Sequence, residues 1–318
     1  MSKEKVIVIC GPTASGKTSF SIELAKKING EIVSCDSMQI YKDMTIGTAK
    51  PTIDEMQGIK HYLIDFVSPE ERYSVADYKK AAIDAIHTII NKGKVPIVVG
   101  GTGLYVEALI YGIEYPEIET DLEYRKKLEE IEKIEGLEKL YEMASKIDQE
   151  AIKKISPNDS KRICRILEIY HSTGKTKTEL EIESRKKGPD FDFILFGINM
   201  EREKLYERIN KRVDIMIENG LIEEVKKLLN KYKKFPTAMQ GLGYKEVVQY
   251  IKGETTKEKM IEKIKMETRR YAKRQLTWFR KYKNIIWIEG LANIEDNIRI
   301  VLEEYSGKSI SETEKKAD

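Results

Sequence analysis

The sequence predicts an α/β protein with a P-loop NTPase-like parallel sheet flanked by helices, and an all-helical insertion domain. Short β-branched runs alternate along the chain with amphipathic helical stretches, which is typical of parallel sheets covered by helices. Several runs are apolar throughout, as are strands buried on both faces. Residues 11–18 carry two glycines five apart followed by Lys and Thr, the phosphate-binding pattern, between the first strand and the first helix.

The elements can be placed in chain order. Apolar, β-branched runs predict strands at 6–10, 32–35, 62–65, 96–99, 193–198 and 285–288. Helical spacing of apolar residues predicts a first helix from Phe20 to Ile28. It also predicts amphipathic helices at 122–134, at 161–171 and from Arg202 onward. The alternation of strands and helices therefore stops only in the middle of the chain.

This interruption predicts a core divided by a helical insertion. The core comprises 1–114 and 191–306, and the insertion comprises 115–190, where long charged helices replace the strands. Pro and Gly at 115–116 and at 188–189 suit domain joints. Residues 307–318 are polar enough to predict a disordered tail.

Composition limits the class of protein. The 318 residues are 41% hydrophobic, enough for a substantial core. No apolar run approaches the about 20 residues of a membrane span, and the first residues lead directly into a strand, so we expect a cytoplasmic monomer. Neither the three cysteines, Cys10, Cys35 and Cys164, nor the three scattered histidines predict a disulfide frame or a metal site.

The phosphate-binding motif makes the clearest chemical statement. In this geometry backbone amides and the helix N-terminus converge on a polyphosphate, Lys17 adds a positive charge, and the Thr18 hydroxyl can hold Mg²⁺. The predicted phosphate-binding residues are Gly11, Pro12, Thr13, Ala14, Ser15, Gly16, Lys17 and Thr18. A phosphorylated ligand follows, although the motif does not say which one.

The residues that follow two other strands limit the type of reaction that the site can catalyse. The fourth strand ends in Gly100, Gly101 and Thr102, where an ATPase would often place a carboxylate near Mg²⁺, so ATP hydrolysis is disfavoured. Asp36 closes the second strand at the same edge of the sheet, where it can act as a general base. The alternative role for Asp36 is a helix cap or turn residue.

Net charge is only +3, so bulk charge does not indicate nucleic acid, but its distribution is informative. Segment 269–283 interleaves seven basic with four aromatic residues, which suits either RNA contact or a solvated basic helix with a core-facing aromatic side. Arg208 and Arg212, four apart, either clamp a diphosphate or pair with nearby carboxylates. Residues 161–165 form a second basic face, and two such faces favour an extended polyanion over a small acceptor.

These motifs resemble the bacterial tRNA dimethylallyltransferases, also called tRNA isopentenyltransferases or the IPP transferase family. The resemblance covers nearly the whole chain, and several of its motifs are long and unusual. It rests on residues 11–18, 36–41, 46–51, 95–105, 158–165, 172–175, 241–246 and 271–280.

The resemblance implies transfer of a dimethylallyl group from its diphosphate to N6 of the adenosine just 3′ of a tRNA anticodon. Asp36 matches the family's base and Thr102 lines the other face of the reaction centre. Lys17, with Thr18 and Mg²⁺, would absorb the charge of the leaving diphosphate, and Arg208 matches a diphosphate-binding arginine, with Arg212 close enough to compete. ATP could also occupy the loop, because its phosphates present similar oxygens.

The resemblance also implies contacts to the tRNA anticodon stem-loop. The insertion would grip the stem, and the adenosine would leave its stack to reach the site. The implied RNA contacts are Asp36, Ser37, Met38, Gln39, Thr102, Arg125, Lys161, Arg162, Ile163, Cys164, Arg165, Met239, Gln240, Gly241, Leu242, Gly243 and Tyr244. One departure is Tyr62, which follows His61 where paired histidines are expected.

Three alternatives stay open at the level of sequence. A P-loop kinase for a nucleoside or another small alcohol would also use a phosphate loop and an aspartate on the second strand. An adenylate prenyltransferase would use free AMP or ATP, but the basic insertion disfavours it. A nucleotide-responsive RNA-binding protein would bind RNA without forming a product.

Overall fold

The computed structural model describes residues 3–114 and 121–307. The elements in chain order are β1 (Lys5–Cys10), α1 (Lys17–Ile28), β2 (Gly30–Cys35), α2 (Ile53–Met56), β3 (His61–Tyr62), α3 (Val75–Asn91), β4 (Val95–Gly100), α4 (Gly103–Ile110), α5 (Leu122–Glu135), α6 (Leu137–Ile147), α7 (Gln149–Ile152), α8 (Ser160–Thr173), α9 (Lys177–Ser184), β5 (Asp192–Asn199), α10 (Arg202–Glu218), α11 (Leu221–Lys231), α12 (Tyr244–Ile251), α13 (Lys257–Phe279), β6 (Ile286–Glu289) and α14 (Ile294–Ser306).

The strands form one parallel sheet in the order β3-β2-β4-β1-β5-β6. Strand β4 lies between β1 and β2, and its last residue, Gly100, pairs with both Cys10 and Cys35. The loops that follow these three strands therefore begin side by side at the carboxyl edge, where open α/β sheets bind ligands. The predicted fold class, a P-loop-like parallel sheet flanked by helices, is confirmed.

Both faces of the sheet are covered. Val6 and Val8 belong to a core that includes buried residues of α3 and α4, whereas Ile7 and Ile9 belong to a core with α1 and α14. Because successive side chains of a strand point to opposite faces, this arrangement requires residues 6–9 of β1 to be apolar. It accounts for the uninterrupted apolar runs in the sequence.

Two strand predictions need correction. The third strand, predicted at 62–65, is only His61–Tyr62, because Leu63 and Asp65 take a left-handed backbone conformation with φ of 59° at each. The last strand begins one residue later than predicted, at Ile286, and ends at Glu289.

A second core lies beside the sheet in the same part of the chain. It joins the segment that follows β2 to helices α10–α13 through buried apolar side chains, among them Ile40, Met44, Val213, Val225 and Met260. This packing holds the 36–51 segment and the C-terminal helices together at the carboxyl edge of the sheet.

The chain divides into two compact units, Met1–Ile110 with Asp190–Asp318, and Tyr111–Pro189. Within the second unit the described residues form helices α5–α9, packed around Leu128, Leu140, Ile163, Ile166 and Leu167. The predicted joint at 115–116 and the predicted tail after Gly307 lie outside the described residues. No helix in the described ranges has the length and apolarity needed to cross a membrane.

Candidate active site

The phosphate-binding loop connects β1 to α1. Gly16 precedes the helix with φ of 91°, and Ala14 is also left-handed with φ of 63°. Among the described residues, the backbone amides of Gly16, Lys17 and Thr18 donate to no acceptor. Free amides at a helix N-terminus are the feature that binds phosphate oxygens.

Lys17 carries the charge of the loop. Its Nζ donates to the Pro12 carbonyl at 2.6 Å. The pKa of Lys17 is lowered to about 8, first by burial and second by the positive charge of Arg212, with the negative charge of Asp36 opposing both. The ammonium group is therefore short of compensating negative charge, which is the condition in which an anion binds well.

Thr18 is the one predicted metal ligand. It lines the same two cavities as Lys17, and no cluster of three His, Cys, Asp or Glu side chains that could hold a metal occurs in the described ranges. Mg²⁺ bound to phosphorylated substrates usually takes one or two protein ligands, with phosphate and water supplying the others. A hydroxyl beside free loop amides fits an ion held mainly by substrate.

Asp36 follows β2 and serves the turn that it begins. Its Oδ1 accepts hydrogen bonds from the Met38 amide at 2.9 Å and the Gln39 amide at 3.3 Å, while Oδ2 accepts none from the described residues. The side chain lines two cavities. Asp36 therefore stabilises the turn through one carboxylate oxygen and still has the other oxygen available to accept a proton.

Thr102 ties the turn after β4 to the turn after β2. Its Oγ1 accepts from the Ser37 amide at 3.0 Å, and its own amide donates to the Cys35 carbonyl at 3.2 Å. A Cβ on Gly100 would lie 2.0 Å from that carbonyl oxygen. Glycine at 100 therefore permits the close approach that brings Asp36 and Thr102 together.

Three cavities meet at this edge. The loop cavity, 680 Å³, is lined by residues 14–19 and α10, and the C-terminal cavity, 330 Å³, is lined by 36–38, 240–245 and α13. A central pocket of 90 Å³ shares Lys17 and Thr18 with the loop cavity and Asp36 with the C-terminal cavity. Phosphate-binding groups and the carboxylate thus line one small pocket that connects the two larger cavities.

Two arginines of α10, Arg208 and Arg212, face this region. Arg208 Nε donates to the Ala14 carbonyl at 2.8 Å, and Arg212 lines all three cavities. Neither forms an ion pair within the described ranges, whereas the neighbouring Asp214 pairs with Lys265. The alternative of a salt-bridged surface helix is therefore wrong for Arg208 and Arg212.

The aromatic residues of segment 269–283 divide into two groups. Phe279 and Tyr282 are buried in the core beneath the sheet, with Trp278 packed against them, so these three favour the core alternative over base stacking. Tyr271 instead lines the central pocket and the C-terminal cavity, and Arg274 lines the latter.

Gln275 is a contact that sequence reasoning missed. Its Oε1 accepts from the Thr13 amide at 2.8 Å, and its Nε2 donates to the Gly101 carbonyl at 2.9 Å. The side chain is buried and joins α13 to the loops after β1 and β4. A polar residue within the apolar spacing of a helix is the only signal the sequence offers, and it names no partner.

The remaining predicted RNA contacts fall in two places. Met38 and residues 240–244 line the C-terminal cavity, with Tyr244 buried and Gln240 exposed, whereas Met239 is buried in the second core. Thr102 and Ser37 form the turn contact, and Gln39 lines the central pocket.

The other contacts belong to the helical unit. Arg125 Nε donates to Glu168 at 2.7 Å, and Arg165 lies 3.5 Å from the same carboxylate. Lys161 and Arg162 are exposed and Cys164 is partly buried. Ile163 is fully buried in the core of the unit, so its side chain has no surface for direct RNA contact, contrary to expectation.

The chain is similar to known proteins over most of its length. The family model described as IPP transferase matches residues 39–282. The chain is 54% identical to the tRNA dimethylallyltransferase of Acetivibrio thermocellus, covering 90% of this chain and 91% of the relative, and 53% identical to that of Halothermothrix orenii, covering 89% and 86%.

Solved structures give the same result. The tRNA isopentenylpyrophosphate transferase of Bacillus halodurans is 42% identical, with a TM-score of 0.72 and 96% of each chain covered. A eukaryotic dimethylallyltransferase acting on tRNA is 33% identical, with a TM-score of 0.82, covering 97% of this chain and 81% of its own. The extent of these matches places the protein by descent as well as by fold: the chain belongs to the IPP transferase family.

Proposed function

We propose that this protein is a tRNA dimethylallyltransferase, which transfers the dimethylallyl group of dimethylallyl diphosphate to N6 of the adenosine 3′ to the anticodon and releases diphosphate. The observation that carries the proposal is the central pocket, which is lined both by the phosphate-binding residues Lys17 and Thr18 and by Asp36, whose second carboxylate oxygen is open. Family membership supplies the reaction class.

In this proposal the diphosphate lies in the loop cavity. The free amides of residues 16–18 and the Lys17 ammonium would donate hydrogen bonds to its oxygens, and the ammonium also supplies a positive charge. Arg208, held at the rim by its bond to Ala14, adds a second charge, and Arg212 reaches the central pocket. Thr18 would hold Mg²⁺, which when bound neutralises part of the charge on the leaving group.

The adenine amine would enter from the C-terminal cavity. Its nitrogen forms a bond to the allylic carbon as the bond from that carbon to the diphosphate oxygen breaks, and the proton of the amine passes to Asp36. An exocyclic amine is a weak nucleophile, so removing its proton assists the attack. The Thr102 hydroxyl, on the turn after β4, accepts from the Ser37 amide next to Asp36 and would help orient the base.

The lining of the C-terminal cavity supports an RNA partner. A base can reach it only after leaving its stack, and Tyr271 and Arg274 offer a ring and a positive charge there. The helical unit, with exposed Lys161 and Arg162, would contact the anticodon stem. We further propose that the protein acts as a cytoplasmic monomer.

Labelled dimethylallyl diphosphate tests the proposal directly. With Mg²⁺ and an anticodon stem-loop carrying A or G after the anticodon, label should enter only the A-bearing RNA. A parallel reaction contains labelled ATP and small alcohols. Phosphate transfer from ATP without prenyl transfer would instead establish a kinase.

Replacing Asp36 with Asn should separate catalysis from folding. The amide retains an oxygen to accept from Met38 and Gln39, so the turn persists, but it cannot take a proton. We expect transfer to slow by about 10²–10⁴-fold and RNA affinity to change by less than about threefold. Asp84→Asn, on the exposed side of α3, is the control; near-normal transfer by Asp36→Asn would remove Asp36 from the mechanism.

The two arginines can be distinguished by paired substitutions. Loss of a charge-assisted contact in Arg208→Met should raise KM for dimethylallyl diphosphate about 10-fold or more. Arg212→Met should mainly lower kcat, because Arg212 lines the pocket where the bond breaks. Arg299→Met on α14 is the matched control. Normal kinetics in Arg208→Met together with impaired kinetics in Arg212→Met would assign diphosphate binding to Arg212.

The lowered pKa of Lys17 predicts a pH dependence of donor binding. Below about pH 8 the free protein already carries the ammonium, so affinity should be constant; above it, binding must take up a proton, and affinity should fall by up to about tenfold per pH unit. Calorimetric titration of dimethylallyl diphosphate from about pH 7 to 9.5 measures this. Lys17→Arg stays charged and should lack the decline, and identical profiles would contradict the assignment.

A further inference from the structure

Glu224, which has no role in the proposed reaction, forms hydrogen bonds with the segment that separates the loop cavity from the C-terminal cavity. Glu224, on α11, accepts hydrogen bonds from the Thr45 and Ile46 amides at 2.9 and 2.7 Å through Oε2. Its Oε1 accepts from the Gly47 amide at 3.1 Å and the Tyr244 hydroxyl at 2.7 Å. Three successive amides thus surround one carboxylate, an arrangement that proteins use to hold anions.

Residues 45–47 form a partition, here called the partition loop. Thr45 and Ile46 line the loop cavity, whereas Gly47 and Tyr244 line the C-terminal cavity. The loop and the ring are in direct contact, since a Cβ on Gly47 would lie 2.5 Å from the Tyr244 ring. Glu224 therefore joins the partition loop to the opposite wall of the cavity proposed for the adenosine.

The charge of Glu224 is compensated only by these donors. Within the described ranges it has no ion-pair partner, although its own helix carries several lysines. Removing the carboxylate would leave three amides and a phenol without their acceptor, and such groups shift until they find water or another partner. The partition loop would then lose its fixed position against Tyr244.

We propose that Glu224 is a positioning residue for the acceptor adenosine, which it serves by fixing the partition loop against Tyr244. This inference rests on the proposed function, because it assigns the C-terminal cavity to the base. Thr45 and Ile46 line the loop cavity, but the groups proposed to bind the diphosphate, the amides of residues 16–18, the Lys17 ammonium and Arg208, form no hydrogen bond with residues 45–47 or Glu224 within the described ranges. The effect of losing Glu224 should therefore fall on RNA rather than on the diphosphate.

Glu224→Gln tests this with little change in volume. A neutral amide has one acceptor oxygen, and its NH2 group must face donors, so at least part of the set is lost. We expect KM for the anticodon stem-loop to rise about tenfold and KM for dimethylallyl diphosphate to change less than about twofold. Tyr244→Phe, which removes one of the four bonds, should act in the same direction with a smaller effect.

Glu223→Gln, the adjacent exposed residue on α11, is the matched control and should behave as the unmodified protein. Equal rises in both KM values, or a lower melting temperature with both KM values unchanged, would overturn the proposal in favour of a purely structural role. Amide hydrogen exchange in a peptide spanning 44–48 should be faster in Glu224→Gln than in Glu223→Gln, and unchanged exchange would also overturn it.

RNA affinity without donor separates this inference from the proposed function. If the unmodified protein transfers no prenyl group, the proposed function fails. Direct binding of stem-loops that carry adenosine or an abasic site then decides the role of Glu224. A weaker affinity of Glu224→Gln for the adenosine stem-loop alone supports positioning of the base, and an equal loss for both RNAs refutes it.

Discussion

The close approach of three strand ends is the constraint on which the site depends. Gly100 lies between Cys10 and Cys35 in the sheet, and no side chain could occupy its position beside the Cys35 carbonyl. Because of this approach, the phosphate loop after β1 and the turns after β2 and β4 begin in line. Gln275 on α13 joins the loop after β1 to the loop after β4, and Thr102 joins the turn after β4 to the turn after β2. The chemistry is thus held by backbone geometry and a few buried polar contacts.

The charged side chains of the site are unevenly distributed among its cavities. Lys17, Arg208 and Arg212 surround the loop cavity, and burial lowers the pKa of Arg212 as it does that of Lys17. Glu23 and Glu55 also line the loop cavity, whereas Asp36 is the one carboxylate among the described residues that line the central pocket, together with Lys17 and Arg212. The central pocket thus combines two positively charged groups with one proton acceptor.

Local patterns predicted most of the fold, and they placed those candidate site residues that lie in the loops directly after strands. Lys17 and Asp36 were predictable because a loop motif and the ends of parallel strands define their places without knowledge of distant packing. Gln275 was not, because its partner Thr13 is 262 residues away and no periodicity records that contact. The short third strand was mispredicted because Leu63, an ordinary strand residue, adopts a left-handed conformation imposed by its surroundings. Burial of Ile163 was visible in helix spacing, but the family resemblance implied a contact range that included it.

The divided use of the Asp36 carboxylate has a consequence for timing. One oxygen is bound to two amides of the turn that follows, so the side chain has already lost its torsional freedom before any substrate arrives. The remaining oxygen then presents its lone pairs in a fixed direction. The side chain of this proton acceptor therefore loses its conformational entropy during folding. No further loss is needed when the substrate binds, so the reaction begins with the acceptor already oriented.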